Sequence, residues 1–387
     1  MSLVLVGCFV VLALAIGLFA VSVPQGGRRW WGLAAAVVAL VLGSGLADST
    51  WISAILLDLA ELAAVALVWS HPTPEAAAAA RKYLYSIAPA IACTLAALAV
   101  AEAGSASPGP TLEKIVVCLL IVGFALKLGL IPFYFWLPAV AAAAPPMTTA
   151  LIISVVDIAT FVELAALRAA LPWIFGAFAP VWLVIALLSM FGGALLALAQ
   201  TELKRMLAFS TIDDLGFLLL GLVIGGSAGV AGAWLGALSH ALSKVVLFGA
   251  VGLAEQRIGR TVTLNTSGLA ARLPLAGAAF ITAAFGFIGV PPGFGFAAYW
   301  RIYVAAMQFG GPILITALLV VAGLDLLCYA RAIHRTWLGP AVLPVAGPPA
   351  YLAPAVLAVL AGLIVLLGCD PSLLSGASVP AFLAMAR

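Results

Sequence analysis

Charged residues are scarce in this chain of 387 residues. Asp, Glu, Lys and Arg together make up 8% of the sequence, whereas 65% of the residues are hydrophobic and the mean hydropathy is +1.26. In soluble globular domains about a quarter of the residues are charged. The composition therefore excludes a soluble globular domain and predicts an all-α polytopic membrane protein.

Basic clusters and paired cysteines are also missing. The formal net charge is +3 and no run of Lys and Arg is longer than two residues, which argues against a nucleic-acid partner. The cysteines lie within or beside apolar stretches and show no C-x-x-C spacing; they are Cys8, Cys93, Cys118, Cys328 and Cys369. We interpret them as small hydrophobic residues and expect no disulfide, no metal site and no cofactor.

Apolar segments long enough to cross a bilayer occur throughout the chain. Taking about 20 apolar residues per span, we predict twelve helices, near residues 3–22, 31–48, 51–70, 83–103, 113–136, 146–170, 174–200, 206–226, 229–255, 273–306, 311–333 and 350–369. The first has no basic region before it, so we expect a retained helix and not a cleaved signal peptide. The loops are short, so the function is expected to lie in the membrane or in partner subunits.

The distribution of Lys and Arg predicts the orientation of these helices. Loops after odd-numbered helices carry most of the basic residues, namely Arg28, Arg29, Arg81, Lys82, Lys204, Arg205, Arg257, Arg260, Arg272, Arg331 and Arg335. These loops are expected to face the cytoplasm. Both termini are then outside the cytoplasm, in the inner (plasma) membrane of a bacterium or archaeon.

Two of the predicted helices are broken. Pro132 interrupts the fifth, and a glycine-flanked segment with Pro291 and Pro292 interrupts the tenth. Interrupted helices in corresponding halves indicate an inverted-repeat transporter with its site at the repeat interface. The predicted organisation is a first helix in 1–30, two inverted five-helix repeats in 31–171 and 172–336, and a C-terminal helix and tail in 337–387.

Charged side chains inside the predicted spans are the candidate functional residues. The basic ones are Lys127 and Lys244, and a charge at membrane depth costs about 3 kcal/mol on insertion scales. The intramembrane acids are Asp58, Glu61, Asp157, Glu163, Asp213, Asp214 and Asp325. Because each acid is costly to bury, so large a set indicates protonatable relay groups more than structural polar contacts.

Asp58 and Glu61 are three residues apart and share one face of a helix. Two close carboxylates at low dielectric do not both ionise easily, so one of them is expected to hold a proton. A salt bridge from Glu61 to Lys127 would let the arrival of a proton on one group change the charge of the other. The alternative is a static ion pair that locks two helices together.

His240 and Lys244 form a second pair, four residues apart on one helix. A neutral imidazole both donates and accepts hydrogen bonds, so this pair suits a proton wire; the alternative is a histidine that is merely hydrogen-bonded. Asp213 and Asp214, near the start of the eighth helix, fit a cytoplasmic entry route. Their alternative is a pair of solvated acids at a helix end.

Asp157 lies in the middle of an otherwise apolar span and is expected to face the bundle interior. Glu163 follows six residues later and therefore points to a different face of the helix. We expect Glu163 to serve a neighbouring helix or another subunit, or to make a structural hydrogen bond.

Three stretches resemble a known family. They are KLGLIPFYFWLP at 127–138, ELKRMLAFSTIDDLG at 202–216 and HALSKVVLF at 240–248. Their order and spacing resemble the antiporter-like subunits of complex I, the Mrp cation/proton antiporters and the membrane-bound energy-converting hydrogenases. The resemblance spans residues 31 to about 335 and implies a chain that lacks the family's first two helices.

The resemblance also implies roles for individual residues. The glutamate and lysine of the family's first half-channel fall on Glu61 and Lys127. His240 and Lys244 match the pattern of the second half-channel. The family's proton pathway is thereby expected to run through these four residues.

Other positions depart from the family pattern. Asp157 stands where a lysine is usual, and Asp214 stands where a histidine is usual. The terminal lysine or glutamate of the second half-channel is replaced by Tyr299, and Arg301 is about 200° round the helix from that position. Tyr299 and Arg301 are the candidate exit residues at this end of the pathway, and the alternative that we expect is a different route, through Asp325 on the eleventh helix.

Together these features predict an antiporter-like subunit that conducts or pumps protons as part of a larger redox-driven complex, similar to complex I or a hydrogenase. No catalytic chemistry is expected in this chain itself. Its expected partners are other membrane subunits, soluble redox subunits and the lipid bilayer. The alternatives are a non-pumping membrane scaffold and the membrane half of a cation- or proton-coupled inorganic-carbon uptake system.

Overall fold

The structure, a computed structural model, describes residues 3–103, 109–176, 178–340 and 351–375, and within those ranges it contains no strand. The helices are α1 (Leu3–Ser22), α2 (Arg28–Leu46), α3 (Thr50–Trp69), α4 (Pro74–Ala103), α5 (Pro110–Lys127), α6 (Trp136–Ala143), α7 (Pro146–Leu151), α8 (Asp157–Ala170), α9 (Ala179–Ala199), α10 (Leu203–Ile224), α11 (Gly226–Ile258), α12 (Leu269–Arg272), α13 (Pro274–Phe287), α14 (Phe294–Ala332), α15 (Leu352–Cys369) and α16 (Ser372–Ser375). Single π-helical turns at Ile152–Val156 and Ile333–Trp337 and a 3₁₀ turn at Pro172–Phe175 complete the helical structure.

Ten helices in the described ranges are long and apolar enough to cross a membrane. The predicted fifth segment is not among these ten: the break divides it into α5 and α6, and the 18 residues of α5 include the charged residues Glu113, Lys114 and Lys127. Part of the predicted tenth segment and the whole eleventh run together in Phe294–Trp337, with a kink at Gly311 (φ 59°) before Pro312. The all-helical, multi-pass architecture is therefore confirmed, and the twelve predicted segments correspond to these helices and breaks.

The two predicted helix breaks have the same backbone geometry. A glycine with positive φ opens each one, Gly129 at 61° and Gly289 at 74°, and a cis proline follows three residues later, Pro132 and Pro292. The same backbone hydrogen bonds close both turns: Leu130 N to Ala125 O and Val290 N to Phe285 O, each 2.9 Å. Glycine is needed at these positions because other residues rarely adopt positive φ. The second break follows the first at an offset of 160 residues, from Pro132 to Pro292.

α10 and α11 lie at the centre of the bundle. The most apolar stretch of α11 is 100% buried and that of α10 is 94% buried, whereas the corresponding stretch of α14 is only 28% buried. The two central helices carry Asp213, Asp214, His240 and Lys244, and all four side chains are buried. Polar groups inside such a bundle need protein partners, which the packing of the other helices supplies.

Several basic loops meet on one face of the bundle. Lys204, predicted to lie in a loop, is in the first turn of α10; it is 7% exposed and pairs with Glu255 at 3.2 Å. Burial and the nearby Lys204 ammonium lower the pKa of His71 in the turn between α3 and α4. Arg331 donates to the carbonyl of Gln200 at 3.0 Å. The turn after α3, the start of α10 and the end of α11 therefore share one face.

A close approach of α9 and α10 generates the first prediction. A Cβ on Gly193 would lie 2.5 Å from the backbone nitrogen of Asp213, so the Gly193→Ala variant must push the two helices apart. We expect a lower midpoint of thermal unfolding in detergent. The matched control is Gly323→Ala, at an exposed position of α14 where nothing lies within 4 Å of an added Cβ. Equal unfolding midpoints for the two variants would contradict this packing.

Candidate functional site

Lys127 is the centre of the first charged cluster. It is the last residue of α5, immediately before the first break, and its side chain is 0% exposed. Its Nζ lies 2.5 Å from Asp58 Oδ1, 3.5 Å from Glu61 Oε1 and 3.7 Å from Glu163 Oε2. One buried ammonium thus faces three carboxylates from two other helices.

The helix α3 contributes two of these carboxylates. Their spacing of three residues turns Asp58 and Glu61 towards α5, as the sequence predicted. The expected salt bridge between Glu61 and Lys127 is present, but Asp58 makes the shorter contact. Glu61 is also held from α8, because Thr160 donates its hydroxyl to Oε1 at 3.0 Å.

Glu163 is the third acid of this cluster. The sequence left its partner open. Glu163 lies on α8, three residues after Thr160, and this spacing turns both side chains towards α3 and α5. The expectation that it serves a neighbouring helix agrees with its contact to Lys127. Helix periodicity predicts that Glu163 shares a face with Thr160. It could have placed Glu163 in this cluster only if the direction of the Thr160 side chain had been known.

Asp157 is buried near the middle of the span Pro146–Ala170. It is 2% exposed and begins α8 directly after the π-helical turn Ile152–Val156. In the described part of the chain, neither its Oδ2 nor the hydroxyl of Ser154 has a hydrogen-bond partner. The π turn packs against α11, and α8 packs against α3, so Asp157 lies on the segment that links the first cluster to the central helix. Single π turns often mark functional sites.

Asp214 is the centre of a second cluster, which joins α10, α11 and α14. Its carboxylate contacts His240 Nδ1 at 2.6 Å and accepts a hydrogen bond from the hydroxyl of Tyr299. The other ring nitrogen of His240, Nε2, has no hydrogen-bond partner among the described residues. The predicted exit position, Tyr299, therefore contacts the acid that stands at the family's histidine position.

Lys244 is held in a different way from Lys127. Its Nζ donates to the carbonyl of Leu207 at 2.8 Å and to the hydroxyl of Ser210 at 2.7 Å. The same Nζ lies 4.0 Å from the centroid of the Phe287 ring, within the range of a cation–π interaction. In the ranges that the structure describes, Lys244 forms no ion pair with a carboxylate within 4.0 Å. It is thus a buried amine held mainly by neutral groups.

An acidic cleft adjoins this second cluster. It is lined by Asp213, Asp214, Phe217, Ile288, Tyr299, Tyr303, Leu318, Val321, Ala322 and Asp325. Asp213 and Asp325 both line this cleft, and the Oδ1 atom of each is buried without a hydrogen-bond partner among the described residues. Arg301 instead donates to the backbone oxygen of Ala297 at 2.6 Å and is not part of the lining.

The structure thus brings the predicted site residues into two groups. Lys127 lies with the α3 acids, and Lys244 lies near His240 and the acidic cleft. No ion pair or side-chain hydrogen bond recorded for the described residues joins one group directly to the other. The same ranges hold no group of three or more His, Cys, Asp or Glu arranged to bind a metal ion.

The tight contact in the first cluster generates a double-mutant prediction. Lys127→Met leaves three buried carboxylates without their cation, and Asp58→Asn removes the closest of them, so each change should lower thermal stability. The double variant should lose less than the sum, with a coupling energy of roughly 0.5–3 kcal/mol measured by denaturation in detergent. The matched comparison is the Lys127–Glu163 pair, whose longer contact predicts weaker coupling. Additive losses in both pairs would show that Lys127 is not energetically coupled to Asp58 or to Glu163.

A family model agrees with this geometry. The model described as NADH:quinone oxidoreductase/Mrp antiporter, TM matches residues 80–324, which is well over half of the chain. The matched region contains both helix breaks and the second cluster, together with Lys127 and Glu163 from the first.

Curated relatives carry related names. NADH-quinone oxidoreductase subunit N 2 of Acidobacterium capsulatum is 31% identical over 287 residues, which cover 70% of this chain and 58% of the relative. Hydrogenase-4 component B of Escherichia coli is 31% identical over 262 residues, covering 61% of this chain and 38% of the relative. The chain thus spans between 38% and 58% of the length of these relatives.

Solved structures share the fold over almost the whole chain. A chain of the Mrp complex from Dietzia sp. superposes with a TM-score of 0.89 at 21% identity, covering 98% of this chain and 84% of that one. A chain of respiratory complex I from Thermus thermophilus superposes with a TM-score of 0.81 at 26% identity, covering 97% and 86%. The matched family model and the shared fold lead to one conclusion: the chain belongs to the NADH:quinone oxidoreductase/Mrp antiporter family of transmembrane proteins.

Proposed function

We propose that this chain is an antiporter-like subunit that conducts or pumps protons across the membrane as part of a larger redox-driven complex. The observation that carries the proposal is the first cluster, in which one fully buried lysine at a helix break faces three carboxylates. Ionisable groups at membrane depth are rare and commonly form proton or ion pathways. The relatives named as NADH-quinone oxidoreductase and hydrogenase subunits support the same assignment.

The first cluster has the properties of a charge switch. If all four groups were ionised, three carboxylates and one ammonium would leave a net charge of −2, which is costly at low dielectric. Carboxylates therefore keep protons, and the number that they keep depends on the charge of Lys127. When Lys127 gives up its proton, the cluster becomes more negative and draws a proton onto Asp58 or Glu61. Proton release on one side of the cluster is thereby coupled to proton uptake on the other.

We propose that the second cluster receives the proton. Lys244 has no carboxylate at ion-pair distance among the described residues. When Lys244 loses its proton, no carboxylate therefore loses an ion-pair partner. His240 Nε2 and the hydroxyls of Ser239 and Ser243 all lie on α11 and are buried without hydrogen-bond partners in the described part of the chain. They offer positions for bridging waters. The proposed route runs from Lys127 through Asp157 to this helix.

The acidic cleft is the proposed opening of the second half. Asp214 contacts both His240 and Tyr299, and Asp213 and Asp325 line the same cleft. A tyrosine passes a hydrogen bond but does not hold a charge easily near neutral pH. We therefore assign release to the carboxylates, with Asp325 as the outermost one.

Partners, membrane and repeat boundaries are part of the proposal. The solved chains with this fold come from an Mrp complex, respiratory complex I and a membrane-bound sulfane sulfur reductase, which supports assembly with other membrane subunits and with soluble redox subunits. The shared face of basic loops supports a cytoplasmic side for the odd-helix loops and termini outside the cytoplasm. The 160-residue offset of the breaks supports repeats in 31–171 and 172–336.

The first functional prediction concerns Lys127. In the native complex reconstituted into vesicles, Lys127→Met should reduce proton translocation at least tenfold while the complex remains assembled. Lys127→Arg should fail as well, because a guanidinium does not deprotonate in proteins. The matched control is Lys114→Gln, which removes an exposed lysine from the same helix and should leave transport unchanged. Translocation at the wild-type rate in Lys127→Met, read with a pH-sensitive dye, would instead favour a non-pumping scaffold.

The second functional prediction concerns the carboxylate route. Asp157→Asn and Asp325→Asn should each lower coupled proton translocation at least tenfold, because both remove a group that holds a proton. Tyr299→Phe should cost much less, since it removes only a hydrogen bond to Asp214. Asp48→Asn, at an exposed loop position, serves as the charge-matched control. Unchanged translocation in Asp157→Asn would remove that residue from the route.

A further inference from the structure

A pocket outside the two charged clusters opens beside the first helix break. It is lined by Lys82, Tyr134, Phe135, Pro138, Ala139, Gln200, Arg205 and Phe209. These residues come from α4, from the chain around the break and α6, and from the region where α9 ends and α10 begins. None of them belongs to the proposed proton route.

Two cations flank this pocket. Lys82 and Arg205 are exposed, and Lys82 has no ion-pair partner in the ranges that the structure describes. Arg205 pairs with Glu202 at 3.3 Å, but both side chains are partly exposed and such surface pairs contribute little. The pocket therefore presents positive charge that the chain itself leaves largely uncompensated.

Both cations lie at the level of lipid headgroups. From Lys82 to the end of α4 at Ala103 the helix runs about 32 Å, at 1.5 Å per residue. From Arg205 to the end of α10 at Ile224 the distance is about 29 Å. The hydrocarbon core of a bilayer is about 30 Å thick, so one boundary of the core passes close to both residues.

Apart from Gln200, the remaining wall of the pocket is aromatic and apolar. The Tyr134 and Phe209 rings lie 5.9 Å apart, and Phe135 is 56% exposed. Pro138 and Ala139 continue the apolar wall along α6. A ligand that fits this lining carries a negative charge next to Lys82 and Arg205 and an apolar part next to Phe135.

We propose that this pocket binds an anionic phospholipid, with its phosphate between Lys82 and Arg205 and an acyl chain against Phe135. Basic pockets between transmembrane helices on the cytoplasmic side are suited to anionic lipid headgroups. A free phosphate shares the charge but lacks the chain that the aromatic wall would contact. The lipid would pack on residues 134–139, directly after the first break, and would hold that segment against α4 and α10.

The test uses the native complex in detergent, titrated separately with phosphatidylglycerol, phosphatidylcholine and glycerol phosphate. Bound lipid is counted by native mass spectrometry, and stability is read as the midpoint of thermal unfolding. We expect phosphatidylglycerol to bind at least tenfold more tightly than phosphatidylcholine and to raise the midpoint by several degrees. Glycerol phosphate should do neither, and an equal response to it would overturn the lipid assignment in favour of a soluble phosphate ligand.

Variants separate this site from general surface charge. Lys82→Gln with Arg205→Gln should weaken phosphatidylglycerol binding at least tenfold without changing the lipid-free unfolding midpoint, because both side chains are exposed. The control, Arg28→Gln with Arg29→Gln, removes two other exposed basic residues and should bind as the wild type does. Phe135→Ala should weaken binding while keeping the charge. Equal binding by the double variant, the control and the wild type would overturn the proposal.

Discussion

The burial of one ammonium among three carboxylates is the constraint on which the first half of this protein depends. A charge at membrane depth must be paired inside the protein, so Lys127 requires acids from α3 and α8 to face one point. The break after α5 brings the lysine to that point, because the helix ends there and its last turn remains inside the bundle. The ion cluster and the helix break are therefore parts of a single arrangement.

The two helix breaks share the same backbone geometry, but only the first has a lysine directly before it. The 160-residue offset that relates Pro132 to Pro292 also relates Lys127 to Phe287, so the second half has an aromatic ring where the first has an ammonium. The amine of the second half comes instead from Lys244 on α11, and it lies over that ring. A cation held by a ring, a carbonyl and a hydroxyl is held less strongly by charge than one ringed by carboxylates. The ammonium of Lys127 is therefore held by ion pairs with carboxylates, and the amine of Lys244 is held by neutral groups.

Particular residues show how far the site could be predicted. The spacing of Asp58 and Glu61 predicted that both lie on one helix face, and the isolation of Lys127 in an apolar run predicted that it needs a buried acidic partner, for which we expected Glu61. The order of the contacts was not predictable, and Asp58 lies closer to the lysine than Glu61 does. The partner of Glu163 was left open because the direction of its side chain depends on how α8 is rotated against α3. The partnership of Tyr299 with Asp214 likewise depends on packing between α10 and α14.

The amino-acid sequence alone specifies the helical, multi-pass class, the positions of both breaks and most of the ionisable residues that lie inside the spans. These features follow from hydrophobic segment length, from the backbone restrictions of glycine and proline, and from the energetic cost of charge in hydrocarbon. Tertiary contacts determine which acid approaches which amine, that Lys244 lies over Phe287, and that Asp213 and Asp325 line one cleft. Such contacts join residues far apart in the chain, and a rotation of one helix by a fraction of a turn exchanges one partner for another. Apolar periodicity cannot specify that rotation when a helix such as α11 is buried on every side.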